Sequence, residues 1–302
     1  MRSNILLALI IFTITSMANI SHAVENTDSL NNKNGEVPNT INWYKTDFPP
    51  YYILNGPEKG KGILGHLYHY VVESLPQYDH QFFISNNPGF LKRAKSGHNV
   101  CATSLLKTPE REKYLHFSTP YLNILQNAIF IRYEDIDSYI EYITADGRIS
   151  LSNLIMDQTL ILGVKHSASY GGEIDKIIDA NKNNKNVIAR KGRDLTEGLL
   201  KMLRLKRIDY MIAYDESIEY LIKKLDLKRE YLYIPIAEMP NNHLNQVSFC
   251  CAKNGWGGRV IQDINKIIAK GELTNKSKQF YMRWLGDVAK KEYLQILREK
   301  YE

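Results

Sequence analysis

The sequence predicts an α/β protein made of two successive units, each with a mostly parallel sheet flanked by helices. Apolar strand-like runs alternate with amphipathic helix patterns from residue 40 onward, and the same alternation starts again near Asn127. Strands joined in β-α-β order lie parallel, and ligands bind beyond their carboxyl ends. Phe48, Ser104 and Arg111 all fall just after such predicted ends, so the first unit also predicts a ligand site.

The first 23 residues have the pattern of a cleavable signal peptide. Met1-Arg2 supplies a positive start, residues 5–14 are apolar, and Ser21-His22-Ala23 is a small-x-small cleavage site. The apolar run is shorter than the roughly 20 residues that a membrane span needs. We therefore expect cleavage after Ala23, export to the periplasm, and a disordered polar leader over residues 24–38.

The charge balance does not indicate a nucleic-acid partner. The chain of 302 residues carries 39 basic and 33 acidic residues, and loss of the signal peptide removes one Arg and leaves a net charge of +5. The sequence contains no run of like charges of the kind that binds nucleic acid. Such a mildly basic surface favours small anions, and the mature length suits one large domain or two lobes.

Three cysteines, Cys101, Cys250 and Cys251, predict a disulfide rather than a metal site. Cysteines of exported proteins are commonly paired, and a zinc site would show two local pairs. Because neighbours on a strand face opposite ways, only one of Cys250 and Cys251 can reach Cys101. The residues alone leave open which one does.

Arg111 is the first candidate ligand residue. Strands are predicted over 41–44, 81–84 and 100–102, and helices along 63–75 and 90–94. After the third strand come a predicted turn at Thr103-Ser104 and a short helix opened by Thr108-Pro109-Glu110-Arg111. A guanidinium beside free helix-start amides suits a planar carboxylate. The alternative is a solvated Arg111 paired with Glu110 or Glu112.

Further candidate ligand residues follow two predicted strands of the second unit. Strands are predicted over 128–132, 159–164, 187–189 and 208–213, and helices along 136–143, 174–178, 195–205 and 218–225. The strand 159–164 runs into Lys165 and a turn rich in Ser and Gly, a pattern typical of an anion or polar-ligand turn. The strand 208–213 delivers Tyr214, Asp215 and Glu216 to its carboxyl end. A strand over 247–252 and two amphipathic helices close the chain.

The stretch from Asn99 to Tyr121 resembles the signature of the bacterial extracellular solute-binding proteins of family 3. It contains T-P-E-R at Thr108 to Arg111 and F-S-T-P-Y at Phe117 to Tyr121. The similarity runs from Ile41 to about Gly286 and includes the late motif K-x-F-Y-x-R-W-L-G. The best-known members of this family bind polar amino acids for ABC importers.

The resemblance implies a type II periplasmic binding fold, a clamp of two α/β lobes joined by two crossover segments. Lobe 1 would comprise residues 39–126 and 245–302, and lobe 2 residues 127–244. The cysteine placement favours a bridge between Cys101 and Cys251 that leaves Cys250 free.

Position by position, the resemblance implies ligand contacts from both lobes. Arg111 matches the Arg that holds a ligand carboxylate, and Phe48 matches an aromatic wall. Asp215, or Glu216 beside it, falls where the family places an acid for an α-amino group. An acid and an Arg facing across a cleft would select a zwitterion. The remaining implied contacts are Ser104, Leu106, Lys165, Ser167, Ser169 and Tyr170.

Two departures from the family pattern predict a ligand other than the common amino acids. Leu106 stands where many members have Ser or Thr, and His66 takes a usual acidic place in Gly62 to His66. His66 and His69 lie one helical turn apart, but a solvated helix face is favoured over a metal site, so neither metal nor cofactor is expected.

The expected function is that of a monomeric periplasmic protein that closes around a small polar, carboxylate-bearing ligand for an ABC importer. A ligand-sensing subunit for a membrane receptor is the alternative that the sequence does not separate from it. Ser167 and Ser169 lack a G-x-S-x-G elbow, so no hydrolase is indicated. A dehydratase-like enzyme would need Asp215 or Glu216 as a proton-transfer group, and we expect no catalytic residue.

Overall fold

The computed structural model describes residues 39–166, 168–192, 194–240 and 243–301. The expected signal peptide and polar leader lie outside these residues, and they stay predictions. None of the helices in the described part has the length and apolar content of a membrane span.

Two β-sheets with helices packed on them form the described part of the chain. The strands are β1 (Thr40–Lys45), β2 (Asp79–Ile84), β3 (Val100–Leu106), β4 (Leu115–Phe117), β5 (Leu122–Ile124), β6 (Ala128–Arg132), β7 (Leu162–Lys165), β8 (Val187–Arg190), β9 (Tyr210–Ala213), β10 (Tyr231–Pro235) and β11 (Asn245–Ala252). The helices are α1 (Ile63–Ser74), α2 (Asn87–Lys95), α3 (Pro109–Glu112), α4 (Leu151–Leu154), α5 (Gly172–Asn181), α6 (Leu195–Arg204), α7 (Asp215–Lys224), α8 (Gly255–Ile268), α9 (Glu272–Met282) and α10 (Asp287–Tyr301).

The first sheet has the strand order β2-β1-β3-β11-β4, with β5 paired to β11, and the second has the order β10-β6-β9-β7-β8. We call the first sheet with its helices lobe 1 and the second with its helices lobe 2. The chain passes to lobe 2 between β5 and β6 and returns between β10 and β11, which gives the two expected crossovers. The exact lobe boundaries, 126/127 and 244/245, stay predictions.

Both sheets are mixed, whereas the sequence predicted mostly parallel ones. β1 pairs parallel with β2 and β3, but β11 runs antiparallel to β3, β4 and β5. In lobe 2, β7 pairs parallel with β8 and β9, but β6 runs antiparallel to β9 and β10. The antiparallel pairs arise at β6 and β11, the strands that follow the crossovers. A strand's apolar pattern carries no direction, so the sequence did not reveal this.

Helices cover both faces of each sheet because successive strand residues point to opposite faces. In β3, Cys101 faces the core that α1 and α8 cover, while its neighbours Val100 and Ala102 face α2. In β6, Ile129 and Phe130 divide in the same way between two clusters of lobe 2. Each fully buried aliphatic side chain contributes about 2 kcal/mol of apolar transfer free energy to this packing.

Several predicted elements differ from the observed ones. Thr103-Ser104, predicted as a turn, continues β3 as far as Leu106, because that segment pairs with β11 through Leu106 and Val247. The predicted helix 136–143 is a 3₁₀ helix over Tyr133–Tyr142. The sequence did not predict β4, β5, β10, α4 and α10, which are short or lack a strong apolar period.

Cys101 and Cys251 lie directly opposite each other on β3 and β11 and form a disulfide, which is the pairing that the resemblance implied. Cys250 is buried and free, and it faces the opposite side of the sheet. The pairing follows from register and strand alternation together.

We expect the double variant Cys101→Ala/Cys251→Ala to lose about 3 kcal/mol of unfolding free energy, measured by urea denaturation. The bridge joins residues 150 positions apart, and its removal restores conformational entropy to the unfolded chain. Cys250→Ala is the matched control: it removes a buried thiol, keeps the bridge, and should lose only about 1 kcal/mol. Equal losses in the two variants would show that the bridge does not stabilise the fold.

Candidate functional site

A cavity of about 290 Å³ lies at the carboxyl ends of β1, β2 and β3. Phe48 follows β1, Asn86 follows β2, and Ser104 and Leu106 end β3, so three parallel strands deliver their end residues to one place. This is the sheet edge at which α/β proteins bind ligands. We call it the Arg111 cavity.

Arg111 reaches the cavity because its local sequence starts a helix at a defined point. The Thr108 hydroxyl oxygen accepts a hydrogen bond from the Arg111 amide at 3.3 Å, and Pro109 occupies the first turn of α3. The Nη1 of Arg111 donates to the Leu106 carbonyl at 2.6 Å, which holds the guanidinium over the end of β3.

The ion pairs around α3 test the alternative interpretation, in which Arg111 is a solvated side chain paired with Glu110 or Glu112. Glu110 pairs with Lys113, and Glu112 pairs with Lys107 at 2.6 Å. Within the described residues, no carboxylate lies within ion-pair distance of the Arg111 guanidinium. The neighbouring acids are thus engaged by lysines, and Arg111 is the charged side chain among the cavity's described lining residues.

Aromatic rings make up much of the remaining wall. The ring of Phe48 stacks on that of Tyr51 with centroids 5.3 Å apart and planes 2° from parallel. Phe48 remains 39% exposed, so part of its ring faces solvent at the cavity. Tyr214 is the lining residue that comes from lobe 2. The lining rings are Tyr44, Phe48, Tyr51, Tyr52, Phe90 and Tyr214.

The residues predicted in the lobe 2 turn lie elsewhere. The Tyr170 hydroxyl accepts a hydrogen bond from the Lys165 amide at 2.7 Å, and the Ser169 hydroxyl donates to the Asp175 carboxylate. Lys165 and Tyr170 line a second cavity of about 450 Å³, which α5 and β8 also border. Ser167 lies outside the described residues. The structure therefore does not bring this turn to the Arg111 cavity.

Asp215 begins α7 and points toward the C-terminal part of lobe 1. Its Oδ2 accepts a hydrogen bond from the Gly286 amide at 2.7 Å, and the side chain is buried. A Cβ on residue 286 would lie 1.9 Å from the Arg229 guanidinium, so a larger residue there would require that half-exposed side chain to move. Burial raises the pKa of Asp215 to about 7, and the Gly286 hydrogen bond opposes that rise.

Glu216 is fully buried and joins the two lobes. Its Oε1 accepts a hydrogen bond from the Tyr51 hydroxyl at 2.6 Å, and its Oε2 accepts one from the Tyr281 hydroxyl at 3.3 Å. The Tyr281 oxygen also accepts from the Leu125 amide in the first crossover at 2.9 Å. Burial raises the pKa of Glu216 to about 7, opposed first by the Tyr51 hydrogen bond. We call the group Tyr51, Glu216 and Tyr281 the interlobe latch.

Four of the ten predicted ligand residues therefore lie together at the Arg111 cavity: Phe48, Ser104, Leu106 and Arg111. Neither Asp215 nor Glu216 lines it. The predicted set lacked Asn86 and Tyr214, whose signal was their position just after the predicted strands 81–84 and 208–213, and Tyr52, which follows no predicted strand end directly. His66, whose spacing from His69 raised the question of a metal site, stacks on Phe280 at 4.6 Å.

The model of the bacterial extracellular solute-binding proteins, family 3, matches residues 42–287. No curated protein matches the chain. Among solved structures, an ancestral arginine-binding protein bound to arginine is 17% identical with a TM-score of 0.57, and the match covers 83% of this chain and 100% of that one. The Lactococcus lactis GlnP substrate binding domain 2 in open conformation is 17% identical with a TM-score of 0.53, and the match covers 83% and 96%.

A histidine kinase sensor domain with similarity to periplasmic binding proteins also matches. It is 14% identical with a TM-score of 0.57, and the match covers 82% of this chain and 96% of that one. Identities this low show the fold and do not transfer a ligand or a partner. Together with the family match, they confirm the two-lobed fold that the resemblance implied.

Proposed function

The chain belongs to family 3 of the bacterial extracellular solute-binding proteins, and from that membership we propose that it closes around a small carboxylate-bearing ligand held by Arg111. The observation that carries the proposal is the Arg111 guanidinium, which lies at a cavity at strand ends with no acidic partner among the described residues. A guanidinium in this situation binds a carboxylate through two parallel hydrogen bonds. Ser104, Leu106 and Phe48 complete the proposed contacts in lobe 1.

Binding would act through closure of the two lobes. Tyr214 already lines the cavity from lobe 2, and a ligand anchored on Arg111 would gain further contacts with lobe 2 when the lobes approach each other. It then binds the closed form more tightly and shifts the population toward that form.

The proposed task is delivery of the ligand, as a monomer in the periplasm, to an ABC importer. A ligand-sensing subunit for a membrane receptor is the second candidate, because the matched structures include a histidine kinase sensor domain. The family and the matched structures are binding and sensing proteins rather than enzymes. We accordingly propose a binding role without catalysis.

A thermal-shift screen of amino acids, short peptides, polyamines and organic acids with the purified protein tests the proposal. A carboxylate ligand at about 100 times its dissociation constant adds roughly 3 kcal/mol to the unfolding free energy, a rise of about 5–10 °C in the melting temperature. Stabilisation by polyamines alone would contradict the proposal. Consumption of the stabilising compound, followed by NMR, would indicate an enzyme instead.

A further inference from the structure

We propose that the Arg111 cavity takes an aromatic carboxylic acid without a charged amino group, rather than a zwitterionic amino acid. The inference rests on the proposed function, in which Arg111 binds the ligand carboxylate. It narrows the class of ligand that carries this carboxylate. It departs from the expectation that Asp215 or Glu216 binds an α-amino group.

The charge of the cavity wall is the first argument. Among its described lining residues Arg111 is positive and none is acidic. A ligand carboxylate therefore has an oppositely charged partner in the wall, whereas a ligand ammonium has no carboxylate among these lining residues. An ammonium removed from water without a carboxylate loses hydration free energy, which a cation–π contact with the rings of the wall restores only in part.

The two acids expected to supply that partner are engaged elsewhere. Asp215 accepts from the Gly286 amide, and Glu216 accepts from the hydroxyls of Tyr51 and Tyr281. Tyr51 both lines the cavity and donates to Glu216, so its side chain separates that carboxylate from the cavity. Recruiting Glu216 to a ligand would leave two buried hydroxyls without their acceptor.

Three neutral polar side chains of the wall, those of Ser85, Asn86 and Asn87, also form hydrogen bonds within the protein. Oδ1 of Asn86 accepts from the Gly89 amide at 2.8 Å, and Oδ1 of Asn87 accepts from the Thr46 hydroxyl at 3.2 Å. The Ser85 hydroxyl donates to the Asn86 carbonyl at 3.3 Å. These bonds orient the amide oxygens toward protein donors, which leaves them poorly placed for an ammonium.

The rings favour a planar ligand group. Aromatic pairs prefer offset-stacked or edge-to-face contacts, and a ligand ring can add to the Phe48–Tyr51 stack in the same way. At about 290 Å³ the cavity is at the small end of ligand sites, which suits one ring and a short acid chain. The half-open face of Phe48 is where such a ring would be covered on closure.

Isothermal titration of the purified protein with four matched compounds tests the inference. 3-Phenylpropionate has the ring and the carboxylate, L-phenylalanine adds the ammonium, 2-phenylethylamine lacks the carboxylate, and 3-cyclohexylpropionate lacks the aromaticity. We expect 3-phenylpropionate to bind at least tenfold more tightly than L-phenylalanine and 3-cyclohexylpropionate, and 2-phenylethylamine not to bind.

Other results separate the inference from the proposed function. Equal or tighter binding of L-phenylalanine, of a non-aromatic carboxylate or of glycine betaine would overturn the inference and leave the carboxylate-binding function standing. Absence of binding by every carboxylate in the broader screen would overturn both.

Phe48→Ala and Tyr133→Ala form a matched pair for the ring contact. Both remove an aromatic side chain that is at least one-third exposed, but Tyr133 lies in lobe 2 and does not line the cavity. Phe48→Ala should weaken 3-phenylpropionate about tenfold and reduce its advantage over 3-cyclohexylpropionate, whereas Tyr133→Ala should change neither. Equal affinities in the two variants would overturn the stacking argument.

Discussion

Arg111→Ala is expected to weaken binding of the carboxylate ligand about 1,000-fold, equivalent to about 4 kcal/mol. Truncating one partner of a buried, hydrogen-bonded charge pair has an effect of this size, because the remaining charge stays desolvated without its partner. The free energy of unfolding should fall by only about 1 kcal/mol, since the substitution removes the hydrogen bond that the guanidinium donates to the Leu106 carbonyl. Isothermal titration and urea denaturation measure the two quantities.

Two further variants make the Arg111 result specific. Arg111→Lys keeps the charge but loses the planar fork, and we expect an intermediate loss of about 10- to 100-fold. Lys113→Ala removes an equal charge two residues away, where it pairs with Glu110 on the surface, and affinity should not change. If Arg111→Ala still gained several degrees of melting temperature from the wild-type ligand, the assignment of Arg111 would be wrong.

The second large effect is a loss of stability as the pH rises from 5 to 8. Burial raises the pKa of both Asp215 and Glu216 to about 7, well above ordinary carboxyl values. Between about pH 4 and pH 7 the folded protein therefore holds protons that the unfolded chain releases. Their contribution to stability is full below about pH 4 and is lost as the pH rises through 7. Each group contributes a slope of about 1.4 kcal/mol per pH unit between these two values.

The groups packed around Asp215 and Glu216 shift the pKa of these acids in both directions. For Asp215, Glu219 and Glu216 raise the pKa and the Arg229 charge lowers it. For Glu216, the Tyr281 hydrogen bond and the Lys165 charge lower the pKa. Burial is the largest influence on both carboxyls, so the sign of the pH dependence follows from it.

Glu216→Gln isolates the contribution of the interlobe latch. The amide occupies the same space but does not titrate; its oxygen still accepts a hydrogen bond from one tyrosine hydroxyl, while its NH2 donates toward the oxygen of the other. Between pH 5 and pH 8 the variant should lose about 3 kcal/mol less unfolding free energy than the wild type, measured by urea denaturation. Glu173→Gln, an exposed acid paired with Lys176, should retain the wild-type pH slope. A wild-type slope in Glu216→Gln would exclude a raised pKa at the latch.

Much of the fold could be predicted because its signals are local. The apolar positions of α1 recur on one helical face, and those of β3 and β9 form short buried runs. Arg111 could be placed for the same reason, since a capping Thr and a Pro start α3 at a definite residue after β3. The Cys101–Cys251 pairing was implied by the resemblance rather than by composition.

The predicted ligand residues of lobe 2 show what local sequence signals do not predict. Asp215 and Glu216 follow a strand as expected, but the direction of their carboxylates depends on Gly286 and Tyr281, which lie 71 and 65 residues further along the chain. No periodicity in the sequence around Asp215 indicates those partners. The turn at Lys165 and Tyr170 likewise bonds within itself and borders a cavity of its own.

The sequence by itself determined the alternation of strands and helices, the family, and the delivery of Arg111 to the end of β3, because each depends on residues close together in the chain. Only the tertiary structure decided that β6 and β11 pair antiparallel with their neighbours and that rings from separate segments form one wall of the cavity. It also decided that groups of lobe 1 donate hydrogen bonds to both Asp215 and Glu216. These features depend on desolvation and on contacts between distant segments. Both arise only when the chain packs.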